Sequence, residues 1–279
     1  EQPAFAAWLA AWRAAEVPAV LTPVAFTASA GSRLAHLGDG SLLALGDAPP
    51  SEDYVLGFEL APGPLAGLVL EVLPDASLPG PGPGRNEHGN FVLNELTATL
   101  DGAPLALGPA RADHAQESWA ARGASDGDLA SGWAIGGAMA EAHRLVVPLA
   151  EPRELASTAR LELTLAQRYG SQHLIGRLRV ARLAAPVPAE EPVPGVALLA
   201  RLADDSPGAR AENASSWERS AQELAPVRAR LAAIEQELVA PRALVMRERA
   251  EPRRTFLHER GNFLAPGAEI KPGVPAILP

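Results

Sequence analysis

The feature that most constrains the fold is a series of short apolar segments separated by turn residues between positions 33 and 183. Two of the breaks, Gly38-Asp39-Gly40 and Asp101-Gly102, carry hairpin signatures. Short strands joined by tight turns favour an antiparallel sandwich over a fold in which strands alternate with helices. The segments are Arg33–Leu37, Ser41–Leu45, Asp53–Leu60, Leu65–Leu73, Phe91–Leu100, Leu105–Leu107, Arg144–Leu149, Arg160–Ala166 and Leu174–Leu183.

The chain is therefore predicted to be mainly β, with a jelly-roll β-sandwich at residues 20–185. An N-terminal helix is expected at residues 1–19, because Phe5, Trp8, Leu9 and Trp12 share one helical face. A proline-rich linker should follow the sandwich at residues 186–212.

After the linker, the sequence pattern changes from strand-like to helix-like. Residues 213–244 are predicted to form a helical hairpin or a kinked helix, with Pro226 at the break. An apolar stripe at Trp217, Leu224, Leu231 and Leu238 follows heptad-like spacing. Residues 245–279 are rich in proline and glycine, and we expect an extended tail that leads to a following domain.

Composition excludes several classes of function. The net charge is −9 and no run of Lys and Arg is present, which argues against a nucleic-acid partner. Because the chain has no cysteine, thiolate zinc sites, thiol catalysis and covalently attached haem are excluded. No apolar run reaches the roughly 18 residues of a membrane span.

The loop from Ser125 to Trp133 is the clearest candidate site. Asp126, Asp128 and Ser131 supply closely spaced oxygen ligands of the kind that calcium prefers. Because calcium takes about seven oxygens, Glu95 and its neighbour Asn94 are candidates for further ligands. The alternative interpretation is a plain turn in which aspartates bond to nearby backbone N–H groups.

Catalysis finds little support in the sequence. Ser125 sits in a Gly-x-Ser-x-Gly pattern, but the strand before the serine and the helix after it are not predicted. The six histidines show no metal-binding spacing. We therefore expect a chain without catalytic residues, although a hydrolase using Ser125 or a carboxylate pair stays open as a third possibility.

A ligand face can be proposed from aromatic and arginine residues. Trp119 and Tyr169 lie in predicted loops, where aromatic rings can stack on sugar rings. Arg177 and Arg179 alternate with apolar residues along the last predicted strand and could add hydrogen bonds.

The loop motif resembles a known family signature. Asp126-Gly127-Asp128-x-x-Ser131-x-Trp133 is similar to the Asp-Gly-Asn/Asp-x-x-Thr-x-Trp signature of discoidin-type, galactose-binding-like β-sandwich domains. The resemblance implies a galactose-binding-like fold and a structural calcium in this loop. Ser131 stands where threonine is usual, which keeps the hydroxyl group.

Longer runs resemble the planctomycete cytochrome-c-linked multidomain proteins of unknown function. The runs span residues 37–54, 68–95, 125–135, 173–183 and 245–279. The resemblance implies the middle sandwich and helical segment of a larger exported protein, hence an extracytoplasmic location. Haem ligation is not carried over, because the chain has no Cys-x-x-Cys-His motif.

Two functions follow from these patterns. The first is a non-catalytic carbohydrate-binding-like module, stabilised by calcium, that binds a polysaccharide or other glycan. The second is a structural or interaction scaffold that links redox or catalytic domains, with its helical stripe against a neighbouring domain.

Overall fold

The computed structural model describes residues 20–187 and 193–196, together with residues 230, 234, 254–258, 260, 264 and 266–270. The chain divides into two compact units, Glu1–Trp217 and Glu218–Pro279. The predicted helix at residues 1–19, most of the linker at 186–212 and the helical segment at 213–244 lie outside the described residues. Within that last segment Arg230 and Ile234 are described, and both are helical.

The described part of the first unit consists mainly of antiparallel strands. A short 3₁₀ helix, η1 (Ala121–Ala124), precedes the Asp126 loop. The strands are β1 (Pro23–Ala28), β2 (Arg33–His36), β3 (Leu42–Leu45), β4 (Glu52–Leu60), β5 (Gly63–Val72), β6 (Val92–Leu93), β7 (Glu95–Leu100), β8 (Ala103–Pro104), β9 (Arg111–Ala112), β10 (Trp133–Ala134), β11 (His143–Leu155), β12 (Ala159–Gln167) and β13 (Arg177–Leu183).

Two large sheets build the described part of this unit. The five-stranded sheet has the order β1-β4-β12-β7-β8, and the six-stranded sheet has the order β2-β3-β13-β5-β11-β9. The short strands β6 and β10 pair separately. Residues of both large sheets contribute to one apolar core, so the architecture is β-sandwich-like, as the turn-separated segments predict.

Side-chain alternation explains why these segments form strands. Along β12, Leu161, Leu163 and Leu165 are buried, and the residues between them face outward. The central strand β5 is buried on both faces instead. Its Val69 joins a second apolar cluster that includes Val193, so the outer face of the six-stranded sheet is partly covered by the chain that follows β13.

The predicted hairpin at Gly38-Asp39-Gly40 is confirmed by the pairing of β2 with β3. The turn at Asp101-Gly102 is also present, but its second strand is the two-residue β8 and not Leu105–Leu107. Leu107 forms only an isolated bridge with Leu149, so the ladder ends early. The predicted segment Phe91–Leu100 is interrupted at Asn94, which separates β6 from β7.

In the second unit, two strands pair within the predicted tail. These are β14 (Thr255–His258) and β15 (Pro266–Ile270), which pair antiparallel. Arg254 bonds to both carboxylate oxygens of Glu269 across this hairpin. Among the residues that the model describes, no helix has the length and apolar character needed to span a membrane.

Candidate functional site

The Asp126 loop, residues 123–132, is a series of tight turns that runs from the end of η1 to β10. Gly127 adopts the left-handed backbone region, with φ near +80°, where a residue with a side chain would be strained. Asp126 Oδ1 accepts the N–H of Asp128 at 3.0 Å, and Asp128 Oδ1 accepts the N–H of Ala130 at 2.8 Å. These are the contacts of aspartate turns, so the loop is ordered by its own backbone.

Oxygen atoms crowd around the hydroxyl of Ser131. Its Oγ lies 2.9 Å from both carboxylate oxygens of Asp126 and 3.0–3.1 Å from the carbonyl oxygens of Asp128 and Gly123. A serine hydroxyl has one proton and can donate to only one of these acceptors at a time. The loop therefore gathers more acceptors than the hydroxyl can satisfy.

Glu95 reaches this loop from the start of β7. Its Oε2 accepts the N–H of Gly127 at 2.9 Å. Burial raises the pKa of Glu95; the Gly127 hydrogen bond lowers it, and the charge of Asp126 raises it further. The structure thus brings Asp126, the Asp128 carbonyl and Ser131 together and places Glu95 against Gly127 of the same loop, while the Asp128 carboxylate accepts the N–H of Ala130.

The side chains alone do not form a dense metal cage. In the described residues, no group of three or more His, Asp or Glu side chains is placed to hold a metal ion. A cation in this loop would be bound by Asp126, the Ser131 hydroxyl and backbone carbonyls. Glu95, which contacts Gly127, would add a nearby negative charge.

Asn94 connects the Asp126 loop to the segment that follows β12. Its side-chain nitrogen donates to the carbonyls of Leu129 and Ser131, each at 3.0 Å. Its Oδ1 accepts the N–H groups of Arg168 and Tyr169 at 2.6 and 3.1 Å. This fully used amide is a structural tie, so the expectation that Asn94 supplies an oxygen ligand is wrong.

Trp119 and Tyr169, predicted as ligand-binding residues, are brought into contact. Their rings meet edge to face with centroids 5.2 Å apart, and Tyr169 meets His173 in the same way at 4.7 Å. Tyr169 is 51% exposed, while Trp119 and His173 are half-buried. We call these three residues the aromatic cluster. His173 was missed because the sequence shows a histidine but not its neighbours.

The backbone beside the aromatic cluster is unusual. Ser118, Ser171 and Gln172 have φ values of +69°, +49° and +61°, although none of them is glycine. Ser171 and Gln172 form the turn that carries His173, whose N–H donates to Gly170 at 3.1 Å. Such strained positions tend to occur at functional sites, where the surrounding structure holds them in place.

A polar cleft of about 620 Å³ adjoins the aromatic cluster at His173. Gln116 holds the cleft together: its Oε1 accepts the side-chain N–H of Asn90 at 3.0 Å and the backbone N–H of Gly136 at 3.1 Å. The lining residues are Asn86, His88, Asn90, Gln116, Glu117, Ser118, Gly136, Gly137, Met139 and His173. Three side-chain amides line this cleft, and no Arg or Lys is among its lining residues.

Arg177 and Arg179 do not line this cleft. The guanidinium of Arg177 bonds to Asp39 at 2.7 Å and to Asp75 at 3.0 Å. Arg179 Nε donates to Glu71 Oε2 at 2.7 Å. Both arginines project from β13 into ion pairs, so the structure gives them acidic partners within the chain and does not bring them to the aromatic cluster.

Ser125 has a structural position. Its hydroxyl donates to the carbonyl of Gly108 at 3.1 Å and accepts the N–H of Ala110 at 2.9 Å. The residues before it form η1 and not a strand, so the strand–serine–helix geometry of a nucleophile elbow is not formed here.

The sequence was also compared with models of protein families and with curated proteins. No family model matches it, and no curated protein matches it either.

Proposed function

We propose that residues 20–185 form a non-catalytic carbohydrate-binding-like module of galactose-binding-like, jelly-roll type. Its ligand face is the aromatic cluster with the adjoining cleft, and its Asp126 loop holds a structural calcium ion. The observation that carries this proposal is the half-exposed ring of Tyr169, held against Trp119 and His173 beside a surface of side-chain amides.

The chemistry of the cleft suits a sugar. Aromatic rings offer apolar faces to the C–H groups of a pyranose. Side-chain amides can donate hydrogen bonds to its hydroxyls and accept hydrogen bonds from them. Gln116 uses its carbonyl oxygen within the chain, whereas among the described residues its side-chain N–H₂ donates to no protein atom. That amide is therefore available to a ligand in the cleft.

The charge of the cleft favours neutral glycans. Glu117 is the acidic residue of its lining, and Arg177 and Arg179 of the neighbouring sheet are paired with carboxylates. An anionic polysaccharide would have to lose hydration without gaining a guanidinium or ammonium partner. We therefore expect uncharged oligosaccharides to bind better than uronate-rich or sulfated ones.

Calcium would act on stability and not on chemistry. It would satisfy the surplus oxygens around Ser131 and offset the charges of Asp126 and Glu95. Because Asn94 connects this loop to Tyr169, an ordered loop also supports the aromatic cluster. The calcium site and the ligand face are thus connected through the buried side-chain amide of Asn94.

The experiment is a binding screen of the purified chain against neutral, uronate-containing and sulfated oligosaccharides, followed by calorimetry on the hits. Tyr169→Ala should weaken binding about tenfold or more, as expected for the loss of one stacking ring. Tyr169→Phe keeps the ring and should bind nearly as well. Val24→Ala removes another exposed apolar side chain, on β1, and is the matched control.

Absence of any glycan bound by the wild-type chain would overturn the proposal, as would equal binding by wild type and Tyr169→Ala. The resemblance to exported planctomycete proteins supports an extracytoplasmic setting for this activity. The alternative, a scaffold that contacts a neighbouring domain through the stripe at residues 213–244, rests on residues outside the described ones and stays a prediction.

A further inference from the structure

His143, at the start of β11, has an acceptor at each ring nitrogen. Nδ1 lies 3.1 Å from Asp113 Oδ2, and Nε2 lies 2.6 Å from the carbonyl oxygen of Ala138. The residue is only 3% exposed, so water does not replace either contact. A neutral imidazole carries one N–H, and only the protonated ring can donate to both acceptors.

Asp113 is held rigidly for this contact. Its Oδ1 accepts the backbone N–H of Arg144 at 2.9 Å, which leaves Oδ2 directed at His143. The approach of Gly195 from another segment limits the space around Oδ2, since a Cβ there would lie 3.2 Å from that atom. The carboxylate therefore stays in place whichever form the imidazole takes.

Ala138 belongs to a wall of the cleft. Its neighbours Gly136, Gly137 and Met139 line the cleft directly. The N–H of Ala138 donates to the carbonyl of Ile135 at 3.0 Å, so the segment is folded into a turn, and His143 contacts the carbonyl of Ala138 in that turn. The bond from His143 thus ties the backbone of this wall to the start of β11.

We propose that His143 is a positioning residue of the cleft: its protonated ring ties the carbonyl of Ala138 to Asp113 and fixes the wall formed by residues 136–139, and loss of the proton releases that wall. The neutral ring would keep its N–H on the Asp113 carboxylate, because that bond is charge-assisted. The Nε2 lone pair would then face the Ala138 lone pairs, and the two would separate. The effect on ligand affinity rests on the proposed function, whereas the effect on the wall does not.

The charged groups around His143 agree with a protonated ring. Burial lowers the pKa of His143, but the hydrogen bonds to Asp113 and Ala138 and the charges of Asp113 and Glu141 outweigh it, so the pKa is raised overall. His114 stacks on the ring at 5.3 Å, and its Nε2 lies 3.3 Å from the carbonyl of Gly136. The other titratable or charged residues on the packed elements and around the cleft are Arg111 on β9, Arg144, Glu151, Arg153 and Glu154 on β11, Glu71 on β5, Arg177, Arg179 and Arg182 on β13, and His88, Glu117 and His173 at the cleft.

The first experiment needs no ligand and no variant. Nuclear magnetic resonance of the full chain can follow the ring nitrogens of His143 and the amide protection of Gly136 and Ala138 as the pH rises from 5 to 9. We expect both amide protection factors to fall about tenfold, the loss of one charge-assisted hydrogen bond, with the same midpoint as the ring. The proposal would be overturned if the ring of His143 were neutral at every pH, or if the protection factors of Gly136 and Ala138 did not change as the ring titrates.

The second experiment separates this role from simple support. In Asp113→Asn the new amide can donate to Nδ1, so the neutral ring can keep its remaining proton on Nε2 for Ala138. The wall should then stay fixed from pH 5 to 9, and the pH dependence should vanish. If Asp113 were only structural, the variant would loosen the wall at every pH. His36→Gln, an exposed histidine on β2, should keep the wild-type profile.

The third measurement links the wall to binding. For a neutral oligosaccharide identified in the screen, we expect affinity about tenfold weaker at pH 8.5 than at pH 5.5 in the wild type, and equal affinities in Asp113→Asn. A wild-type affinity that does not change with pH would contradict an effect of His143 on ligand binding. If no glycan binds at all, the proposed function fails, while the amide measurements still decide whether His143 fixes the wall.

Discussion

Two regions of the sandwich use similar acidic turns but neutralise them differently. At the Arg177 junction, Asp39 bonds to Ser41 and Asp75 bonds to Ser77 through the same short turn, and both carboxylates pair with the guanidinium of Arg177. In the Asp126 loop the turn chemistry is alike, yet among the described residues no Arg or His forms an ion pair with Asp126 or Glu95.

The difference lies in how the carboxylate charge of each region is balanced. An arginine supplied by β13 completes the first region, so its charges balance within the chain. The Asp126 loop instead places a second carboxylate, Glu95, beside the first, and the charge of Asp126 adds to the burial that raises the pKa of Glu95. Under the proposed function, this region, with surplus oxygens and no internal cation, would take up a calcium ion from solution.

Calcium removal should give the largest contrast between the two regions. At a calcium concentration about 100 times Kd, binding to the folded state alone adds about 2.7 kcal/mol, and excess chelator should lower Tm by roughly 5–10 °C. Asp126→Asn, which keeps the shape but not the charge, should abolish the response in differential scanning calorimetry. Asp39→Asn alters the matched turn and should leave the response intact.

A chelator that leaves Tm unchanged would reduce the Asp126 loop to a plain turn. An equal calcium response in wild type and Asp126→Asn would place the ion elsewhere. Either result would break the contrast with the Arg177 junction, because both regions would then be complete without a metal.

Removing the internal cation should make the Arg177 junction resemble the Asp126 loop. Arg177→Met keeps the length of the side chain and leaves Asp39 and Asp75 without their shared cationic partner. Because the arginine side chain is 22% exposed, solvent screens part of the loss, and we expect about 1–2 kcal/mol in urea unfolding at neutral pH. Arg160→Met, on the outer face of β12, should be nearly neutral.

The pH range of this effect follows from Asp39. Hydrogen bonds from Ser41, opposed by burial and aided by the charge of Arg177, lower the pKa of Asp39 to about 2. A carboxyl group whose pKa is lowered by folding stabilises the protein above its ordinary value and loses that contribution as the pH falls toward the folded value. The difference between wild type and Arg177→Met should therefore shrink only below about pH 4. A difference that is the same at every acidic pH would contradict the ion pairing.

The sequence was sufficient for features that depend on near neighbours. Alternation along β12 and the Gly-Asp-Gly hairpin are visible in a few residues, and each predicts its strand. The Asp126 loop is visible for the same reason, since Ser131 contacts a residue five positions away. Its tie to Tyr169 through Asn94 spans 75 positions and leaves no local signal.

The sequence was not sufficient where the partner decides the role. The spacing of Arg177 and Arg179 shows that they share a face of β13. It does not show that these arginines form ion pairs within the chain, with Asp39, Asp75 and Glu71. Trp119 and Tyr169 were correctly singled out as aromatic loop residues, yet their contact and the cleft beside them arise from segments far apart in the chain. No periodicity could have indicated the amide of Gln116 or the two acceptors of His143.

Glu95→Gln should give the smallest effect, with a sign that distinguishes the two regions. Burial, with the Gly127 hydrogen bond opposing and the charge of Asp126 adding, raises the pKa of Glu95, so the folded state holds this proton more firmly than the unfolded chain does. Stability therefore falls as the pH rises between the ordinary and the folded pKa of Glu95, and the full penalty remains above that range. The amide variant can still accept the N–H of Gly127 and avoids the penalty.

In chelator at pH 7 we thus expect Glu95→Gln to raise Tm by less than about 4 °C, a change that disappears at acidic pH, where Glu95 is protonated in the wild type. With calcium the sign should reverse, because the variant loses a charge near the ion. Glu71→Gln is the matched control: that carboxylate already pairs with Arg179, so its loss should destabilise the chain with or without calcium. Destabilisation by Glu95→Gln in chelator would mean that the carboxylate is neutralised within the fold, as at the Arg177 junction.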